Sequence, residues 1–128
     1  MPSEIKTMEC IWVELTRISQ QKLDLEERLE DWLEDDIGIL SNDLLVIGRQ
    51  VATDFGHSID ILCINPEGDL VVVELKRDKT PRDVTAQALD YGSWIEDLSN
   101  ERVTYIANNY LDDSLATAFK NKFGTHIT

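Results

Sequence analysis

Residues 58–76 read SIDILCINPEGDLVVVELK. Ser58 to Asn65 is nearly continuous Ile and Leu, and Leu70 to Lys76 holds three consecutive valines, so both stretches have the composition of strands. Between them, Asn65-Pro66-Glu67-Gly68-Asp69 sets Asn at the first turn position, Pro next, and Gly where a three-residue hairpin loop needs a left-handed residue. A hairpin is therefore predicted. With Pro66 to Gly68 as its loop, Asn65 faces Asp69 and each later pair keeps the same index sum, which sets Asp60 opposite Glu74. Directly opposed residues carry Cβ atoms about 4.5 to 5.5 Å apart on one face, where two carboxylates repel. A divalent cation between them would relieve that repulsion, and hard cations such as Mg²⁺ take oxygen ligands with water completing the shell. Lys76, two residues past Glu74, projects from the same face, where its ammonium is placed to hold a water or offset charge on a phosphate. An exposed face with an ordinary Glu-Lys neighbour pair is the alternative account of these residues.

Working outward, Leu44 to Val51 is apolar and partly β-branched and predicts a strand before the hairpin. Leu25, Leu29, Trp32 and Leu33 fall at helical spacing, with Asp24 and Glu27 as a capping box and an end near Asp36. Ile11, Leu15 and Ile18 predict an earlier helix over 9–19. Past the hairpin, Thr80-Pro81-Arg82-Asp83 opens a helix through Val84, Ala88, Tyr91, Trp94, Ile95 and Leu98. Val103 to Ala107 reads as a fourth strand, and Asp112 or Asp113 caps a last helix ending near Gly124. The sum is one α/β domain over 1–128, a mixed sheet flanked by helices.

A third acid is sought on the helix at 24–36. Turning about 100° per residue from Leu25 puts Glu26 beside Leu33 at the border of the apolar stripe, Glu30 further round, and Glu27 on the far side. Glu26 is thus the expected third ligand or ligand-orienting acid, with Glu30 in reserve. His57 lies one position off the alternation of Ser58 and Asp60 and is read as a loop residue, and no Ser-His-acid order suggests a nucleophilic hydrolase. Cys63 sits in an apolar run as a buried thiol, and Cys10 is distant from it, so neither a bridge nor a zinc site is expected.

Hydrophobic residues make up 42 % of the chain and charged residues 29 %, the balance of a globular protein. No apolar run approaches the roughly 20 residues of a membrane helix, and no signal peptide opens the chain, so a cytoplasmic protein is expected. The formal net charge of −13 opposes a general affinity for nucleic acid, which comes largely from Lys and Arg neutralising phosphates. The charge is unevenly spread. Eight acids crowd between Asp24 and Asp36, whereas Lys76, Arg77, Lys79 and Arg82 fall close together and form the expected nucleic-acid contact.

Asp60, thirteen residues, then Glu74-Leu75-Lys76 resembles the split motif of the PD-(D/E)XK nucleases, and Gln87-Ala88-Leu89-Asp90-Tyr91 resembles the Q-x-x-x-Y helix motif of their RecB-like members. Residues 25–94, with the acidic helix LEERLEDWL at 25–33, are most similar to the NucS-like endonuclease domain, which cuts DNA near mismatches or branch points. The resemblance implies a restriction-endonuclease-like core of α-β-β-β-α-β order and hydrolysis of phosphodiesters, in DNA before RNA, with Mg²⁺ or Mn²⁺ as cofactor. It gives Glu26, Asp60 and Glu74 to the metal, Lys76 to the attacking water or the phosphate, and Gln87 and Tyr91 to the site lining. Ile59 stands where the family motif has proline. The resemblance also leads one to expect further sequence after the last helix, and a homodimer is a compatible state. A non-catalytic nucleic-acid-binding or assembly domain on the same fold is the alternative reading.

Overall fold

The structure, a computed structural model, describes residues 8–14, 22–76 and 81–125, with side chains over 28–75 and 82–125. Its elements run β1 (Met8–Glu14), α1 (Lys22–Asp35), a single 3₁₀ turn (Ile37–Ile39), β2 (Leu45–Ala52), β3 (Ser58–Ile64), β4 (Leu70–Lys76), α2 (Pro81–Asp97), α3 (Asn100–Tyr110) and α4 (Leu115–Phe123). The described strands form a mixed sheet of order β1-β4-β3-β2, with β2, β3 and β4 antiparallel and β1 parallel to β4. Mixed α/β architecture is thereby established.

The hairpin forms in the predicted register. Ile64 pairs with Leu70, Cys63 with Val71, Leu62 with Val72 and Ile61 with Val73. Its turn is closed by the Asn65 N–H on the Asp69 carbonyl at 3.0 Å, while the Asn65 side chain accepts from the N–H groups of Glu67 and Asp69. Gly68 takes φ +88°, the left-handed conformation the loop requires.

Two apolar layers cover the sheet. On one face Ile47, Leu62, Ile64, Leu70 and Val72 pack with Tyr91, Trp94 and Ile95 of α2, Val103 and Ala107 of α3, and Phe119 of α4. On the other, Val46, Ile61, Cys63, Val71, Val73 and Leu75 pack with Leu33 of α1 and Ile37. Burial on both faces explains why β3 and β4 read as continuous rather than alternating apolar runs. Ile59 joins the α2 face although Ile61 joins the other, so the alternation slips at Asp60.

Five expectations need correction. Residues 9–14 of the predicted first helix belong to strand β1, and the rest of that stretch, 15–19, lies outside the described residues. Ile11, Trp12 and Val13 suit a strand as well as a helix, and pairing with β4 satisfies backbone groups that the edge of β4 would otherwise leave open. Val103 to Ala107 is helical, part of α3. Ser99 caps that helix by accepting from the Arg102 N–H, and the i, i+4 pair Val103 and Ala107 faces the core, a gain that outweighs the strand preference of Val, Thr, Tyr and Ile. The α-β-β-β-α-β order therefore does not hold: the fourth strand precedes α1 instead of following α2.

The other two corrections concern helix ends. Asp24 lies inside α1, which begins at Lys22, so it is no N-cap and Glu27 has no part in a capping box. For α4 the cap is Ser114, not Asp112 or Asp113, because its hydroxyl accepts the Thr117 N–H. Gly124 ends α4 at φ +77° as expected. Thr80 lies outside the described residues, and α2 opens at Pro81.

Candidate active site at the end of the β3–β4 hairpin

The regular β3–β4 ladder ends at Ile61 and Val73, and side chains take over beyond it. The Asp60 N–H donates to Glu74 Oε2 at 2.7 Å, and the Leu75 N–H donates to Asp60 Oδ2 at 2.9 Å. Each carboxylate thus accepts a backbone N–H from the other strand. These charge-assisted bonds hold the two acids together and offset part of their repulsion, so their pairing does not by itself require a cation.

On α1 the acid whose side chain is described is Glu30, the reserve candidate; the side chain of Glu26 lies outside the described residues. Glu30 is only 6 % exposed, and its Oε1 accepts from Arg49 Nε at 2.7 Å and from Gln50 Nε2 at 3.0 Å. The same Gln50 nitrogen donates to Asp60 Oδ1 at 3.1 Å, so one amide joins α1 to β3. Arg49 also pairs with Asp31 at 2.7 Å and Glu34 at 2.8 Å. Glu30 foremost, against an opposing effect of burial, and then Asp31 and Glu34 hold the Arg49 guanidinium further above its usual range. Glu34 in turn accepts from the Tyr110 hydroxyl, which ties α3 to α1.

The backbone of β2 is adapted to this arrangement. Its register against β3 shifts between Val46 and Gly48, and Arg49 pairs with Ile61 and Val51 with Ile59, leaving Gln50 opposite Asp60. Among the described residues Gln50 is the one non-glycine with positive φ, at +51°, a conformation that costs about 1 kcal/mol or more. That twist lets the consecutive side chains of Arg49 and Gln50 both reach Glu30, which strict strand alternation forbids. Gly48 is required nearby, since a Cβ there would stand 2.7 Å from Val51 Cγ2 and 3.5 Å from Ile106 Cγ2 of α3.

From the opposite face α2 contributes Gln87 and Tyr91, both buried. Gln87 Nε2 donates to the Tyr91 hydroxyl at 2.8 Å, and that hydroxyl donates to the Ser58 carbonyl at 3.0 Å. Burial and then the charge of Glu74 push the Tyr91 hydroxyl up from its ordinary range, so it remains a protonated donor. Gln87 Oε1 is buried without a hydrogen-bond partner among the described residues. His57, at the rim, stands edge-on to Tyr91 with centroids 6.4 Å apart, and its Nε2 is 3.8 Å from Asp90 Oδ2.

Of the residues singled out in the sequence, Asp60 and Glu74 are brought together, and Gln87 and Tyr91 adjoin them. Lys76 ends β4, two residues beyond Glu74, and Glu26 lies on α1 four residues before Glu30; only their backbones are described. Arg82 is exposed on the first turn of α2, while Arg77 and Lys79 lie outside the described residues. Gln50 and Arg49 were missed. Their signal was a polar pair inside the otherwise apolar run from Leu44 to Val51.

Among the described residues, no group of three or more His, Cys, Asp or Glu is arranged to hold a metal ion, and no helix is long and apolar enough to cross a membrane. Compared with known proteins, the chain matches no family model, no curated protein and no solved structure. Its class is therefore defined by its own architecture, a mixed α/β fold with an acidic site where β3, β4 and α1 meet.

Proposed function

We propose that this protein is a divalent-metal-dependent nuclease with a restriction-endonuclease-like site, hydrolysing phosphodiester bonds, in DNA before RNA. The observation that carries the reading is the interlocked pair Asp60 and Glu74 at the hairpin end, with Lys76 following on β4 and the buried Glu30 joined to Asp60 through Gln50. The donors are all oxygens, which fits Mg²⁺ or Mn²⁺ with water completing the shell. Asp60 and Glu74 would hold the ion. The chemistry a bound ion supplies is orientation of an attacking water and stabilisation of the leaving oxygen.

The chain's own residues do the rest. Backbone N–H bonds fix the carboxylate orientations of Asp60 and Glu74, and the Lys76 ammonium offsets charge developing on the phosphate. Tyr91 and Gln87 anchor the start of β3 through the Ser58 carbonyl and line the site from the α2 side. Lys76, Arg77, Lys79 and Arg82 supply the phosphate contact, so binding weakens steeply with salt.

The test is cleavage of labelled single-stranded, duplex and branched DNA and RNA at saturating Mn²⁺. Lys76→Met is expected to lose about a hundredfold or more of the rate while keeping its fold and its metal affinity. Asp60→Asn and Glu74→Gln are expected to lose rate and metal affinity together. Wild-type protein that binds one substrate specifically yet cuts none would instead establish a non-catalytic binding domain, and Lys76→Met cutting like wild type would remove the assigned role.

A further inference from the structure

We infer, on the metal-dependent reading above, that Gln50 is a positioning residue: its amide clasps Asp60 against Glu30, and the Asp60–Glu74 pair binds a divalent cation at full affinity only with that clasp closed. Its Nε2 stands 3.0 Å from Glu30 Oε1 and 3.1 Å from Asp60 Oδ1, so the two amide hydrogens serve one carboxylate each. The acids belong to α1 and β3 and repel. A Lys or Arg at this point would join them too, but its charge would compete with a cation. A neutral amide orients both carboxylates without adding a charge of its own.

The backbone carries the same message. Gln50 sits at φ +51° opposite Asp60, in a strand bulged upstream, and the side chain is exposed rather than packed in the core. Neither burial nor strand pairing accounts for the strained conformer. Strain held by its surroundings at a cluster of acids is the pattern of a residue fixed for what its side chain does. Arg49, next to it, holds the far acid, with Glu30 Oε1 receiving both side chains. The Asp60 carboxylate is thereby gripped from two sides, by Gln50 on Oδ1 and the Leu75 N–H on Oδ2.

The experiment compares wild type, Gln50→Gly, Gln50→Met and Asp60→Asn by Mn²⁺ calorimetry and by thermal unfolding in EDTA. Glycine accepts the positive φ and removes the amide, and methionine keeps length and volume without its donors. Both Gln50 variants are expected to unfold within a few degrees of wild type and to bind Mn²⁺ about tenfold or more weakly, the scale of losing a group that orients a ligand. Mn²⁺ affinity within about twofold of wild type in both variants overturns the role of the amide. So does a normal affinity in Gln50→Gly alone, which would make the backbone conformer, not the side chain, the cause. If Gln50→Gly fails to fold, Gln50→Met decides by the same criterion. Should wild type and Asp60→Asn bind Mn²⁺ equally poorly, the metal-dependent reading itself falls and the clasp with it. Wild type binding well, Asp60→Asn poorly and both Gln50 variants normally removes the clasp alone.

Discussion

The two faces of the sheet hold the candidate site by different means. On the α1 face the holding groups are charged: Arg49 is shared by Glu30, Asp31 and Glu34, and Gln50 extends that network to Asp60. On the α2 face they are neutral, a buried chain from Gln87 through Tyr91 to the Ser58 carbonyl set in an apolar layer. A guanidinium can gather several acids at a partly exposed boundary, where water still shares the cost of charge. Buried side chains such as Gln87 and Tyr91 must instead satisfy single donors and acceptors, which a phenol and an amide do without isolating a charge. The acids that would face a cation thus lie between a charged clamp and a neutral one.

Removing Arg49 should break this contrast most visibly. Arg49→Met leaves Glu30 as a buried carboxylate without its cation, and a loss of about 3 kcal/mol is expected in urea unfolding at neutral pH. A loss of less than about 1 kcal/mol would show that the Arg49 charge does not hold this face.

Tyr91→Phe probes the neutral side and should cost less, about 1 to 2 kcal/mol, because it leaves Gln87 Nε2 and the Ser58 carbonyl unpaired but strands no charge. The loss should be insensitive to pH between about 5 and 8, where neither group titrates. A cost as large as that of Arg49→Met would erase the distinction between the faces.

The remaining expected effect is confined to alkaline solution and is absent at neutral pH. Burial pushes the Cys63 thiol up to about 12 from an ordinary value of 9.0. Its folded-state pKa is raised, so its contribution is fully present below the unfolded pKa and is lost as pH rises from about 9 toward 12. Cys63→Val should flatten that decline in urea midpoints measured from pH 8 upward, while Tyr91, pushed in the same direction, maintains a residual slope from the α2 face. An unchanged alkaline decline in Cys63→Val would assign it to Tyr91 and other groups.

Much of this was legible in local chemistry. The turn at Asn65 to Asp69 demands a left-handed residue and Gly68 provides it, so the register that sets Asp60 beside Glu74 follows from five residues. Gln87 and Tyr91, one helical turn apart, share a face of α2 wherever that helix packs. The link from Glu30 to Asp60 was not legible, because a helical wheel ranks positions by angle from the apolar stripe and does not contain Arg49 or Gln50, the partners that make a buried glutamate tolerable.

What the sequence alone determined, then, is the hairpin, its register and the residues sharing one end of it, all products of interactions within a few residues of chain. What only the tertiary structure decided is where the fourth strand comes from and how Asp60 is held. Residues 8–14 and 103–107 both carry strand-forming side chains. The first became β1 because the edge of β4 offered it hydrogen bonds, and the second became part of α3 because Ser99 capped a helix whose buried residues met β2 and α4. Local preference was nearly equal in the two, and the available partner broke the tie. The Gln50 clasp has the same origin: it joins residues 20 and 10 positions away in sequence, and its strained backbone is sustained by contacts that exist only once α1, β2 and β3 have come together.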